Sequence, residues 1–130
     1  MSLVPHLAAV ARLRGQPTAG IVELVVGEAD ADQDAAELRA EREWFAAECE
    51  ALAVRLAADW GPPRLVDLLP VLEQRLSGDP VDEPLRSLCD HGVRSLRAWT
   101  PHGRFVALGI GRAGPHLPYR LLAAAGEEPR

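Results

Sequence analysis

The longest periodic segment of the chain runs from Asp30 to Trp60, where neither proline nor glycine occurs. Acidic residues crowd its start, where carboxylates stabilise exposed backbone N–H groups. Gly61 and two following prolines stop the segment. Apolar residues recur at steps that place them on one face of an α-helix: Leu38, Phe45, Cys49, Leu52 and Leu56. The pattern predicts a long helix over about residues 31–60.

Shorter helical patterns lie on both sides of this segment. They predict helices over residues 3–14, 69–78 and 84–92, the first ending at Gly15 and the last at Gly92. Two prolines and three acidic residues between 79 and 84 indicate a loop. Residues 64–69 read as a short strand or an extended link.

Residues 18–28 are ambiguous. Ile21, Val22, Val25 and Val26 are β-branched and favour a strand, yet their spacing also fits one helix face. We favour a helix, because no candidate partner strand lies nearby in the sequence.

After Gly92 the apolar pattern changes from helical to alternating. It predicts strands over residues 93–99, 104–111 and 119–126. The second strand is apolar on both faces, so it should be central and covered on both sides. Residues 100–103, Thr-Pro-His-Gly, suit a type I turn between the first two strands.

These elements predict an α+β protein in which the long helix and the preceding helices pack on a C-terminal antiparallel β-meander. The meander has three strands, and residues 64–69 are a candidate fourth. The length of 130 residues corresponds to a single domain. Residues 126–130 are expected to be a frayed tail.

Charge and composition narrow the function. The net charge of −5 argues against non-specific nucleic-acid binding, which is driven by basic patches that neutralise phosphates, and we expect no nucleic-acid partner. All basic residues are arginines, as expected of a gene from a GC-rich genome, and without lysine a Schiff-base or P-loop lysine mechanism is excluded. No apolar run is long enough to span a membrane and no signal segment opens the chain, so we expect a cytoplasmic protein with free cysteines.

Residues 109–114, Gly-Ile-Gly-Arg-Ala-Gly, match the glycine spacing of a dinucleotide-binding loop. Such a loop must open a helix, and Pro115 and Pro118 prevent one. We therefore interpret Gly109 and Gly111 as strand glycines that allow a close neighbour, such as Trp99 or a side chain of the long helix. The alternative is a small groove above these glycines, in which Arg112 and His116 bind a carboxylate.

Other candidate chemistry is sparse. Cys89 and His91 are close in sequence, but a helix end explains them better than a nucleophile with its base, and a metal site would need more converging ligands. Trp44 and Trp99 are candidate contact residues, although core positions are favoured for both. No catalytic residue, metal or cofactor is assigned, and a non-enzymatic role is favoured.

The sequence thus favours a small protein-interaction module with an acidic helical surface. It would act as an adaptor, a toxin-neutralising partner or a homodimer subunit, and a protein partner would be basic. The alternative is a small-ligand binder or an enzyme with a pocket between the long helix and the sheet, near Gly109 and Gly111.

Overall fold

A computed structural model describes residues 2–28 and 32–128 of the chain. The described residues form four α-helices and five strands, which confirms the α+β class. Their bounds are α1 Val4–Arg14, β1 Gly20–Val26, α2 Ala35–Trp60, β2 Arg64–Asp67, α3 Leu69–Leu76, α4 Leu85–Asp90, β3 Ser95–Trp99, β4 Phe105–Gly111 and β5 Arg120–Gly126.

The strands form one antiparallel sheet in the order β1-β5-β4-β3-β2. Strands β2 to β5 follow one another as a meander, so the predicted meander and its candidate fourth strand are confirmed. Strand β4 is the middle strand, and six of its seven residues are buried. Its apolar character on both faces is explained by this central position.

Residues 18–28 correct the sequence-based expectation, because they form strand β1 and not a helix. Strand β1 pairs with the outer side of β5, with Gly20 opposite Ala125 and Val26 opposite Arg120. Its partner strand is therefore about 100 residues away in the sequence. We considered only partner strands close to residues 18–28 when we predicted a helix there. The sheet consequently has five strands, one more than the largest number expected.

Helices cover both faces of the sheet, giving three layers. On one face α1 and α2 pack on alternate residues of β3, β4 and β5 and enclose the first core. On the other face α3 and α4 enclose a second core with the remaining inward residues of the same strands. The long helix therefore covers only one side of the sheet.

Capping residues set the ends of α2. The Asp34 carboxylate accepts a hydrogen bond of 2.8 Å from the Glu37 N–H, which satisfies a donor that the first turn leaves free. The helix begins at Ala35, later than the expected residue 31, which itself lies outside the described residues. Gly61 ends the helix as expected, at φ 82°.

The structure also corrects the predicted turn at residues 100–103 and the predicted start of the C-terminal tail. His102 has φ 53°, in the left-handed region, so the turn at 100–103 is not of type I. Gly126, the first residue of the expected frayed tail, is the last residue of β5. Residues 129–130 of that tail lie outside the described residues.

Candidate functional site

Gly109 and Gly111 lie where another segment of the chain crosses the end of β4. A Cβ atom at Gly109 would come within 2.7 Å of Val93 Cγ1 and 2.9 Å of Leu96 Cδ2. At Gly111 it would come within 2.3 Å of the His91 carbonyl oxygen. Both glycines thus allow a close neighbour, as the sequence suggested, but the neighbour is segment 91–96 and not Trp99 or α2.

The crossing has a cause in the pairing of β3 and β4. Their ladder ends at Arg97 and Leu108, although β4 continues to Gly111. Ser95 and Leu96 pair with β2 on their other side. Segment 91–96 therefore diverges from β4, and the glycines let it pass over the strand.

Arg112 and His116 belong to the loop that leaves β4. The Arg112 side chain donates hydrogen bonds to two backbone carbonyls of this loop, those of Pro115 and Leu117. Its guanidinium also lies over the Tyr119 ring, 5.1 Å from the centroid. His116 is exposed at the loop tip. Arg112 thus holds the loop in shape, while the ligand role predicted for both residues stays a prediction.

The two candidate tryptophans have different surroundings. Trp99 is 3% exposed, and its indole N–H donates a 2.9 Å hydrogen bond to the Gly61 carbonyl. It also packs against Trp60, with the ring centroids 5.9 Å apart. Trp44 is 40% exposed and forms a T-shaped pair with Phe45, with the ring centroids 5.1 Å apart. Trp99 therefore connects the end of α2 to β3 through its hydrogen bond and ring contact, whereas the Trp44 side chain is partly exposed to solvent.

A cavity of about 240 Å³ lies beside α2, above the point where β3 and β4 diverge. Its walls combine apolar side chains with two arginines; they include Cys49, Leu65, Leu108, Ile110, Arg94 and Arg97. Arg97 is paired with Glu50 of α2, whereas Arg94 forms no ion pair with a carboxylate of residues 2–28 or 32–128. The cavity thus has an apolar wall and the Arg94 guanidinium, for which the described residues provide no counter-ion.

The two thiols are poorly suited to nucleophilic chemistry. Burial raises the pKa of Cys49, and nearby Arg97 only partly offsets this effect. Burial and the adjacent Asp90 raise the pKa of Cys89. Because their pKa values are raised, both cysteines are largely protonated near neutral pH. Both thiols are therefore poor nucleophiles, since the thiolate is the reactive form.

His91 lies beside Cys89 but is held by other partners. Its Nδ1 is 2.8 Å from the Ser87 carbonyl, so Nδ1 carries the proton and donates it. Its Nε2 lies 3.9 Å from Glu23, which also contacts Arg120. His91 thus joins the end of α4 to strand β1.

The outer face of α2 carries a second apolar stripe. Its residues recur at steps of four and three, and each is classed as exposed; they are Ala40, Trp44, Ala47, Ala51, Val54 and Ala58. At 100° per residue this stripe lies roughly opposite the core stripe of the same helix. Val54 is 61% exposed, and no element of the described chain covers the stripe. An uncovered apolar stripe of this kind is typical of a helix that packs on a partner.

The outer stripe was not predicted from the sequence. Its spacing is visible in the printed sequence, but four of its six members are alanines, which carry little weight in a search for large apolar residues. Only the exposure of these positions distinguishes an outer stripe from a second core face.

Two searches of the described residues give negative results. None of the helices within residues 2–28 and 32–128 is long and apolar enough to cross a membrane. In the same part of the chain, no three His, Cys, Asp or Glu residues are grouped so that they could hold a metal ion.

Comparisons with protein-family models, with curated proteins and with solved structures find no match for this chain. Its function is therefore inferred from its own surfaces and its cavity.

Proposed function

We propose that this protein is a protein-interaction module that binds its partner through the outer face of α2. The single observation behind the proposal is the exposed apolar stripe from Ala40 to Ala58. Its length is about 27 Å at 1.5 Å per residue, enough to seat a partner helix along five turns. A purely structural helix would normally present a polar face to water.

Charged residues border the stripe on both sides. Glu41, Glu48 and Arg55 follow one side, and Glu43 and Glu50 follow the other. A polar rim around an apolar strip is the usual arrangement of a contact surface. The excess of carboxylates favours a partner that brings cations to this rim.

Photo-crosslinking in the source cells tests the proposal. A benzophenone amino acid replaces Ala58 at the end of the stripe, where added bulk does not displace core residues. The matched control carries it at Ser77, which is exposed after α3 on the other side of the sheet. We expect ultraviolet light to produce a protein adduct from position 58 and none from position 77. Equal adducts from both positions, or none from either, would contradict the proposal.

The cavity beside α2 supports a second candidate function. Its apolar wall and Arg94, which has no ion-pair partner in the part of the chain that the structure describes, suit a small aliphatic carboxylate. A volume of about 240 Å³ is below the usual range for drug-sized ligands, so only a short chain fits.

Thermal unfolding with short fatty acids, from butyrate to octanoate, tests this second function. We expect saturating ligand to raise the Tm of the unaltered protein. Arg94→Met keeps the apolar stem and removes the charge, so it should abolish the shift while leaving the Tm without ligand unchanged. A shift that survives Arg94→Met would reject the assignment.

A further inference from the structure

We propose that a cationic cavity between the end of α1 and the turn at 100–103 binds a small phosphomonoester, with its phosphoryl group held by Arg14 and Arg104. The cavity has a volume of about 310 Å³, at the lower end of the range usual for ligand sites. It shares no lining residue with the cavity at Arg94 or with the outer stripe of α2. The inference therefore does not depend on either function proposed above.

The lining of this cavity contains arginine and histidine side chains but no carboxylate. Its residues are Arg14 in the last turn of α1, His102 in the turn, Arg104 directly before β4, and Ala11, Gly15 and Pro101. Acidic residues outnumber arginines 19 to 14 in the whole chain, so this lining differs in charge from the acidic average. A concave surface lined by one sign of charge attracts ions of the opposite sign.

The two guanidiniums have no counter-ion of their own. Neither Arg14 nor Arg104 forms an ion pair with a carboxylate in residues 2–28 and 32–128. Arg104 donates one hydrogen bond of 3.2 Å to the Thr18 carbonyl, while its buried Nε has no hydrogen-bond partner among the described residues. A buried donor without a partner is costly, and an anion that contacts the guanidinium would offset part of that cost.

Contacts within the fold hold both arginines in place. The Arg14 guanidinium lies over the Trp60 ring, 5.7 Å from its centroid, and the hydrogen bond to Thr18 restrains Arg104. A restrained side chain loses less entropy when it binds a ligand than a freely moving one. The two guanidiniums are thus partly ordered before an anion arrives.

The position of Arg14 also has a purely structural explanation. Arg14 and Arg12 both lie in the last turn of α1, where positive charge balances the helix dipole. Arg12 is exposed and does not line the cavity. A comparison of the two arginines therefore separates a helix-end role from a binding role.

Two fixed positive charges suit a phosphoryl group better than a carboxylate. A phosphomonoester carries a charge of about −1.5 to −2 near neutral pH and presents three acceptor oxygens. A carboxylate has a single charge and two oxygens. Guanidiniums bind phosphate oxygens through paired N–H bonds, and a neutral imidazole adds one further N–H donor.

An apolar hollow of about 270 Å³ adjoins the cavity at Ala11 and Arg14. Its apolar wall is formed by Leu7, Val10, Leu56 and Trp60. Asp59 also lines the hollow, but its carboxylate lies 3.9 Å from Arg55. A phosphomonoester with an aromatic or aliphatic body would place that body against this wall, so it should bind more tightly than inorganic phosphate.

Isothermal titration calorimetry with phenyl phosphate and inorganic phosphate, at constant ionic strength, tests the site. We expect phenyl phosphate to bind at least about threefold more tightly, because its ring covers apolar surface. Arg14→Gln removes a charge-assisted hydrogen bond and should raise the dissociation constant for phenyl phosphate at least about tenfold. Arg12→Gln removes the same charge from the same helix turn and, as the matched control, should raise it less than about twofold.

Amide chemical shifts locate the bound ligand in the unaltered protein, so this measurement does not depend on how well a variant folds. Phenyl phosphate added to isotope-labelled protein should shift the amide signals of Gly15, Gly103 and Arg104 most. The amide signal of Gly78, which lies beyond α3 on the other side of the sheet, should not move.

Three results would overturn the proposal. Phenyl phosphate that does not bind at millimolar concentration would show that there is no site. Equal weakening by Arg12→Gln and Arg14→Gln would show that only the overall charge attracts the anion. The largest amide shifts at Arg94 and its neighbours would assign the phosphate to the cavity beside α2. Equal affinities for phenyl phosphate and inorganic phosphate would reject the contact between the ligand body and the apolar hollow.

Discussion

The inner and outer faces of α2 are both apolar, yet only the inner face is buried. The inner stripe contains large residues, and Phe45 and Leu52 are at most 1% exposed against the sheet. The outer stripe is mostly alanine, with Trp44 at 40% and Val54 at 61% exposed. Two stripes of similar spacing on one helix therefore have different surroundings.

The two stripes differ in side-chain size as well as in exposure. Spacing shows that a face is apolar, and the size of its residues indicates what it packs against. Large side chains fill the space above a sheet, while alanines suit the closer approach of another helix. In dilute protein, where association does not contribute, substitutions on the two faces can be compared directly.

The largest difference is expected when one residue of each face is truncated. Leu52→Ala removes a fully buried side chain and should lower the free energy of unfolding by about 2–5 kcal/mol. Val54→Ala, two residues later on the outer face, should change it by less than about 0.5 kcal/mol. Urea denaturation measures both. Equal losses would show that the two faces are equally buried.

Replacing the tryptophans should give a smaller difference. Trp99→Phe removes the hydrogen bond to the Gly61 carbonyl and should lower the free energy of unfolding by about 1–2 kcal/mol. Trp44→Phe keeps an aromatic ring beside Phe45 and should change the free energy of unfolding by less than about 0.5 kcal/mol. Guanidinium denaturation, followed by circular dichroism, provides the comparison. A larger loss of unfolding free energy for Trp44→Phe than for Trp99→Phe would contradict the placement of Trp99 in the core and Trp44 at the surface.

The rate of thiol alkylation should differ between the two faces of α2, and the substitution that tests this should leave the free energy of unfolding almost unchanged. At pH 8, iodoacetamide should modify Cys49 at least about tenfold more slowly than the thiol introduced by Ala51→Cys, because the thiolate is the nucleophile. Burial raises the pKa of Cys49, so its rate should continue to increase above pH 9. The exposed thiol should level off near the usual cysteine pKa of about 8.5. Rates that coincide at all pH values would contradict the burial of Cys49.

The sequence predicted the parts of the fold that depend on local signals. The end of α2 follows from Gly61 and two prolines, and the central position of β4 follows from apolar residues on both of its faces. Strand β1 was missed for a physical reason. Its Val-rich segment fits either period, and its partner β5 lies at the other end of the chain. Strand identity there is decided by tertiary pairing, not by local preference.

The surroundings of the candidate site residues were harder to foresee. Both tryptophans lie next to apolar neighbours in the sequence, and only packing separates buried Trp99 from exposed Trp44. The close neighbour of the β4 glycines was expected, but its identity depends on how β3 diverges from β4. Gly92, at φ 77°, turns the chain from α4 into segment 91–96. No local pattern in the sequence encodes that crossing.

The pairing of β1 with β5 also determines when the fold can be completed. Within residues 2–28 and 32–128, strand β1 has β5 as its only neighbour in the sheet. During synthesis at about 5–20 residues per second, the roughly 100 intervening residues take about 5–20 s to appear. For that time the Val-rich segment of β1 has no strand to pair with and is exposed to aggregation. The five-stranded sheet can therefore be completed only after β5 has been made.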